Sequence, residues 1–328
     1  MQIDYEWLIE SDPWVEYNTR KELLFQKETD SEVKAARQAM IASTQIKQII
    51  ADLENWPWKV LTNHKNAAHP IHLLTFLADI GLRYEDKGIE SIIARILAHQ
   101  SDEGPFQSLV NIPTAYGGSG EDQYSWQLCD APLLCYSLAK MGLQDDSRVQ
   151  AAVQHLTSLV RINGWPCAGS KEIGKFRGPG RKEDACPYAT LIMLRTLALF
   201  PEQHASDASH AGVECILDLW QNSREKHPYL FHMGTDFRKL KAPLVWFDIT
   251  HVLDVLSQFE FARGDDRFQD MLSVVTVKQS EKGRYTPESI WTVWKGWDFG
   301  QKREPSPWLT FLILRIIHRN QDDAAALM

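Results

Sequence analysis

The residues best suited to chemistry gather just before one apolar segment. Residues 163–184 are rich in glycine and proline and carry Lys171, Lys175, Arg177, Arg181 and Lys182 within twelve positions. Glu183-Asp184 follows, then Ala185-Cys186-Pro187-Tyr188 and a run to Phe200 that is apolar on nearly every side. Cations ahead of a helix N-terminus favour an anion, because the partial positive charge of that terminus adds to theirs. Gly178-Pro179-Gly180-Arg181-Lys182 lacks the spacing of a nucleotide-binding phosphate loop. Asp130, next to Cys129, precedes a second apolar segment, and Asp12 and Glu304 are single acids before two others. An acid that holds a proton ready needs burial or a neighbouring group. Asp248 and His251 stand three apart on one helical face, the spacing of an oriented imidazole. His227, His232 and Asp236 form a looser metal-type set. The ordinary alternatives are a buried free thiol, a core histidine bonded within its own helix, and solvated loop charges.

Positioning these groups falls to a repeated helix pair. Pro13, Pro70, Pro132, Pro187, Pro243 and Pro307 each open a helix-like segment, at spacings of 57, 62, 55, 56 and 64. Proline fits a first helical turn, where its missing N–H is not needed. The predicted helices Pro70 to Leu82, Pro132 to Leu143, Pro187 to Phe200, Pro243 to Phe259 and Pro307 to Ile317 are apolar all round; the one at Pro13 is more polar. Between them come segments with one apolar face: Glu32 to Leu53, Gly88 to Leu97, Arg148 to Leu156, Gly212 to Trp220 and Arg267 to Val275. A single pair cannot bury its own apolar surface, so the pairs must stack.

A third feature keeps the same phase. Gln100-Ser101-Asp102-Glu103-Gly104-Pro105-Phe106 and Gln279-Ser280-Glu281-Lys282-Gly283-Arg284-Tyr285 share Gln-x-x-x-Gly-x-aromatic, 179 residues apart, and Asn163-Gly164-Trp165 is a weaker echo. The glycine stops the helix in a left-handed conformation and lets the aromatic fold back on the neighbouring pair. Six repeats of this length predict an all-α protein built as an α/α toroid. Buried helices would form its inner ring, with their N-terminal ends at one mouth. The N-terminal segment would help close the sixth repeat. No linker divides the chain, so one domain over residues 1–328 is expected.

Composition narrows the partners. The chain has 328 residues and a formal net charge of -8, which disfavours nucleic acid. Five cysteines without a C-x-x-C pair read as reduced thiols in a cytoplasmic protein. The first residues lack a signal-peptide pattern, and no uncharged apolar run is long enough for a membrane span. Of twelve tryptophans, Trp165, Trp246 and Trp297 are candidates, with Tyr188, to line a cavity. Aromatic faces suit an isoprenoid chain, and they also suit sugar rings.

The Gln-x-x-x-Gly-x-aromatic motif resembles the QW repeat of squalene and related triterpene cyclases. The helix-pair ring resembles the toroid those cyclases share with the β subunits of protein prenyltransferases. The resemblance implies a small apolar, isoprenoid-type ligand with an anionic head group, held by Lys175, Arg177, Arg181 and Lys182. The cyclases' Asp-x-Asp-Asp acid does not occur here. The prenyltransferases' Asp-x-Cys does, as Asp184 and Cys186, and with a later histidine it implies zinc. The next buried segment opens Lys241-Ala242-Pro243-Leu244, so the nearest imidazole is His251, further along. A second reading is a carbohydrate-active enzyme in which Glu183 or Asp184 stands opposite Asp130 across a glycosidic bond. A third is a scaffold that binds a protein on its outer face.

Overall fold

The computed structural model describes residues 4–326 except 58, 175 and 177, with 322–326 described as backbone only. Fourteen α-helices occur among these residues: α1 Tyr5–Ile9, α2 Pro13–Glu22, α3 Ser31–Ala42, α4 Thr44–Leu53, α5 Pro70–Asp79, α6 Ile89–Leu97, α7 Ala131–Leu138, α8 Ser147–Ser158, α9 Pro187–Leu197, α10 Asp207–Gln221, α11 Ile249–Leu256, α12 Glu260–Arg263, α13 Asp266–Thr276 and α14 Pro307–Ala326. None of them is long and apolar enough to cross a membrane. The chain is mostly helical, as expected. One antiparallel hairpin was not foreseen: β1 (Ser108–Val110) pairs with β2 (Gln123–Ser125), Leu109 opposite Tyr124. The contacts divide the chain into two compact units, Met1–Gln48 with Met233–Met328, and Ile49–His232.

Within the second unit the predicted alternation is visible. All residues of α7 and α9 are buried. In α6 the buried residues are Ile89, Ile92, Ile93 and Ile96, one face of the helix. Pro70 and Pro187 are first helical residues, and Pro132 is second in α7. The half-exposed helices start differently. Asp146 caps α8 by accepting the Arg148 N–H, and Ser206 caps α10 through the Ser209 N–H. Side-chain caps of this kind are each worth about 1 kcal/mol. Proline thus stands at the start of the three buried helices, while α8 and α10 start on polar side-chain caps.

In the first unit α14 packs against α2 and α11, and the N-terminal α1 also meets α14. The Arg284 guanidinium ties Asp4 at 2.6 Å, and Phe25 meets the His318 ring at 5.1 Å. Two expectations need correction here. The segment from Pro243 is not helical until Ile249, because Asp248 is the cap and accepts the His251 N–H at 3.1 Å. The segment Glu32 to Leu53 is two helices, broken at Ser43, whose extended backbone and hydroxyl start α4 through the Ile46 N–H.

The Gln-x-x-x-Gly-x-aromatic turns have one geometry. The Gln100 amide donates to the Gly104 carbonyl at 2.7 Å, and the Gln279 amide donates to Gly283 at 3.1 Å. Ser101 N–H bonds Pro105 O and Ser280 N–H bonds Arg284 O, both at 2.9 Å. Gly104 and Gly283 have φ of 110° and 76°, the left-handed region that glycine enters without strain. Phe106 and Tyr285 have no exposed surface.

A second repeated contact links the turns ending in Trp165 and Tyr285 to the next buried helix. Trp165 N–H donates to the Thr190 hydroxyl at 3.0 Å, and its carbonyl accepts from Cys186 N–H at 2.7 Å. Tyr285 N–H donates to the Thr310 hydroxyl at 2.9 Å, and its carbonyl accepts from Ser306 N–H at 2.9 Å. Every partner in the second set stands 120 residues after its counterpart, two repeat lengths. Arg195 and Arg315 obey the same offset. In each unit that arginine reaches a buried aspartate, Asp79 or Asp254.

Candidate functional site

Three buried helices of the second unit lie side by side and run the same way. At their C-terminal ends the Arg195 guanidinium of α9 grips both oxygens of Asp79 of α5, at 2.5 and 2.6 Å. The Tyr136 hydroxyl of α7 donates to the same carboxylate at 2.8 Å, and the guanidinium lies 4.3 Å from the Tyr136 ring centre. At their N-terminal ends sit His69, Cys129-Asp130 and Cys186-Tyr188. Tyr188 lies within electrostatic reach of Cys129, Asp130 and Cys186. The start of α9 is thus near that of α7, and His64, ahead of α5, comes within 3.7 Å of Asp130; a helix start carries partial positive charge.

The segment before α5 is tied down by two histidines. His72 Nε2 bonds the His64 carbonyl at 2.8 Å, and His69 Nε2 bonds the Lys59 carbonyl at 3.0 Å. The other His69 nitrogen accepts the Ile71 N–H, which fixes its neutral tautomer. Burial pushes His69 down to about 4 and His72 down to about 3, so both are neutral struts at ordinary pH. What they hold in place is His64.

His64 Nε2 is 3.7 Å from Asp130 Oδ2, a charge-pair distance rather than a hydrogen bond. Asp130 has no exposed surface. Its Oδ1 accepts the Gln127 N–H at 2.8 Å, and its Oδ2 has no hydrogen-bond partner. Two thiols and a phenol lie beside this pair, and Arg195 is within electrostatic reach of Tyr188 and His72. Burial, then the Asp130 charge, pushes the Cys129 thiol well up. Burial raises the Cys186 thiol to about 12 and raises the Tyr188 phenol as well. The result is one carboxylate–imidazole pair set among sulfur and aromatic surface, an arrangement suited to moving a proton to or from an apolar molecule.

Of the sequence candidates, Asp130, Cys186 and Tyr188 meet at this site. Asp184 does not serve it through its capping oxygen: Oδ2 closes a turn on the Arg181 N–H at 3.0 Å. Glu183 is exposed, as are Arg181 and Lys182. A glycosidase pair needs two carboxyls facing one open cleft, and the buried Asp130 and exposed Glu183 or half-buried Asp184 sit in unlike surroundings. Lys175 and Arg177 lie outside the described residues. Trp165 is a core residue rather than a cavity wall. It has no exposed surface, and its indole N–H donates to the Leu156 carbonyl at 2.9 Å.

Trp246, Trp297 and His251 belong to the first unit. Trp297 is half-buried and packs 4.8 Å from Trp14 and 5.6 Å from Phe299. His251 Nδ1 is bonded to the Trp246 carbonyl at 2.8 Å, and Asp248 binds the histidine's backbone N–H through Oδ1. The imidazole is thus oriented by the Trp246 carbonyl, while Asp248 is bonded to the backbone N–H of His251. Among the described residues, no group of three or more His, Cys, Asp and Glu side chains is arranged to hold a metal ion. Asp184, Cys186 and His251 therefore do not form such a group; the Asp184 Oδ2 closes the turn on the Arg181 N–H and His251 Nδ1 bonds the Trp246 carbonyl. In the looser set His227 packs 4.1 Å from His232, while Asp236 pairs with Lys239.

Sequence reasoning missed His64 and His72, although three histidines within nine positions around Pro70 were a usable signal. It also missed the half-buried Asp298 of the first unit, and it named Asp248 only as a partner of His251. Burial raises Asp248 to about 7 and Asp298 to about 6, the latter bound by the Ser306 hydroxyl and the Trp308 N–H. A separate groove of 640 Å³ in the second unit is lined by Asn163, Arg181, Asp184, Cys215, Asp218 and His227 among others. Asp184, Glu214, Asp218 and Glu225 outnumber Arg181 and Lys226 along it, so it is a poor seat for an anion.

No family model matches the chain, and no curated protein matches it. Among solved structures it is similar to a protein from Actinoplanes, at 14% identity and a TM-score of 0.45, over 95% of this chain and 90% of that one.

Proposed function

We propose that the helix pairs close into an α/α toroid. We further propose that the protein binds an isoprenoid-type ligand with an anionic head where α5, α7 and α9 begin. The observation that carries this reading is the Asp130–His64 pair, with neutral thiols and a neutral phenol beside it near the starts of α7 and α9. An apolar chain loses nothing against sulfur and aromatic walls, whereas a sugar would leave its hydroxyls unpaired there. The helix ends offset the negative charge of a head group. Asp130 and His64, 3.7 Å apart, are the groups that would exchange a proton with the ligand. The repeated Gln-x-x-x-Gly-x-aromatic turns support the resemblance to terpenoid cyclases and prenyltransferases. The absent Asp-x-Asp-Asp argues for a different proton source from that of the cyclases.

The test is product formation from farnesyl diphosphate and geranylgeranyl diphosphate, read by gas chromatography and mass spectrometry. General acid–base groups contribute roughly 10²–10⁴-fold, so Asp130→Asn and His64→Gln should each cut turnover by at least about 10²-fold. Turnover by Asp130→Asn equal to that of the unaltered protein would refute the assignment.

A further inference from the structure

The stretch 178–182 touches no helix of the site directly in its hydrogen bonds, yet it is held down in an unusual way. Gly178 and Gly180 bracket the ring of Tyr229. A Cβ on Gly178 would come 2.9 Å from Tyr229 Cδ1, and one on Gly180 would come 2.6 Å from Cδ2, on the opposite edge. Gly178-Pro179-Gly180 therefore arches over the ring, and only glycine permits that approach. The Tyr229 hydroxyl donates to the Arg181 carbonyl at 3.2 Å. Tyr229 and Leu230 both have positive φ, 52° and 62°. Two adjacent side-chain-bearing residues adopt that conformation only where the surroundings enforce it. Tyr229 is nonetheless buried, while Leu230 is 68% exposed.

The arch also reaches the candidate site. Gly178 N–H donates to Cys167 Sγ at 3.4 Å. Cys167 in turn lies within electrostatic reach of both Cys129 and Cys186. Cys129 and Cys167 are each half-buried, so a boundary between covered and open surface runs through them.

We infer that residues 178–182 are a strap, latched by the Tyr229 ring, whose release opens the site at Cys129, Asp130 and Tyr188. The strap's role as an entrance rests on the ligand site proposed above. The latch itself does not, and both readouts below are taken without ligand. Gly180→Ala places a methyl against the ring and pushes the strap off without touching Tyr229. Tyr229→Phe keeps the ring and removes one hydrogen bond. Arg181 and Lys182 are exposed and give trypsin its cut sites inside the strap. Access is read as the rate of N-ethylmaleimide labelling at Cys129 and Cys167, mapped by mass spectrometry.

Gly180→Ala should speed cleavage after Arg181 and Lys182, and labelling of both thiols, by roughly tenfold, equivalent to about 1.4 kcal/mol of lost latching. Tyr229→Phe should speed both by roughly threefold, within the range of a single hydrogen bond. Unchanged cleavage in Gly180→Ala would overturn the latch. Faster cleavage with unchanged labelling of Cys129 would overturn the entrance. Should Gly180→Ala lose its helical circular dichroism, Tyr229→Phe alone decides, with unchanged rates in it overturning the proposal.

Discussion

Replacing Arg195 with alanine is expected to lower stability by about 3–5 kcal/mol, the cost of leaving a buried charge without its partner. The Arg195 side chain is 1% exposed and that of Asp79 10%, so water can take over little of the lost role. Two of the Asp79 contacts vanish with the guanidinium, and only the Tyr136 hydroxyl remains. The carboxylate left behind sits between the C-terminal ends of α5 and α7, where helix dipoles already disfavour negative charge. Arg195→Lys should recover only part of the loss, because the ammonium lacks the planar face that the guanidinium lays on the Tyr136 ring, 4.3 Å away. The double variant Asp79→Leu with Arg195→Met should regain most of the loss, since neither charge is then buried. Urea unfolding followed by circular dichroism reads all three. A single variant as stable as the parent would show that this knot does not hold the three helices together.

Trp165→Ala should cost a similar amount, about 3–5 kcal/mol, through the cavity it leaves. The ring is fully enclosed, and its N–H is bonded to the Leu156 carbonyl. Thr190→Val isolates the other half of the same joint. It removes the hydroxyl that takes the Trp165 N–H and leaves that buried donor without an acceptor, at about 1–3 kcal/mol. The 120-residue offset makes this a test of the repeat. Thr310 holds the Tyr285 N–H in the same way, so Thr310→Val should match Thr190→Val within about 1 kcal/mol. A large loss at one threonine and none at the other would mean that the two joints only look alike.

Much of this architecture was legible because local chemistry and tertiary need agree. Pro70, Pro132, Pro187 and Pro307 start helices where the sequence placed them, and glycine at 104 and 283 turns the chain as the motif requires. Pro243 misled because Asp248, further on, is the stronger cap, and a cap acts on whichever N–H groups are free. The hairpin was hidden because three-residue strands leave almost no periodic signal. The site was half legible. Asp130, Cys186 and Tyr188 were found from their place before or within apolar helices. His64 was not, because its partner is Asp130, 66 residues away, and only the fold brings the two together. Trp165 shows the converse limit. An aromatic at the right phase reads equally as cavity wall or core, and burial alone separates the two.

The central claim is that the starts of α5, α7 and α9 form one binding place. Hydrogen–deuterium exchange with and without farnesyl diphosphate tests it most directly. Slower exchange should be confined to the backbone around His64 to His72, Gln127 to Leu134 and Cys186 to Thr190, and Asp130→Asn should weaken it. Protection confined instead to the groove beside Asn163, Arg181 and Asp218, or no protection at saturating ligand, would contradict the account.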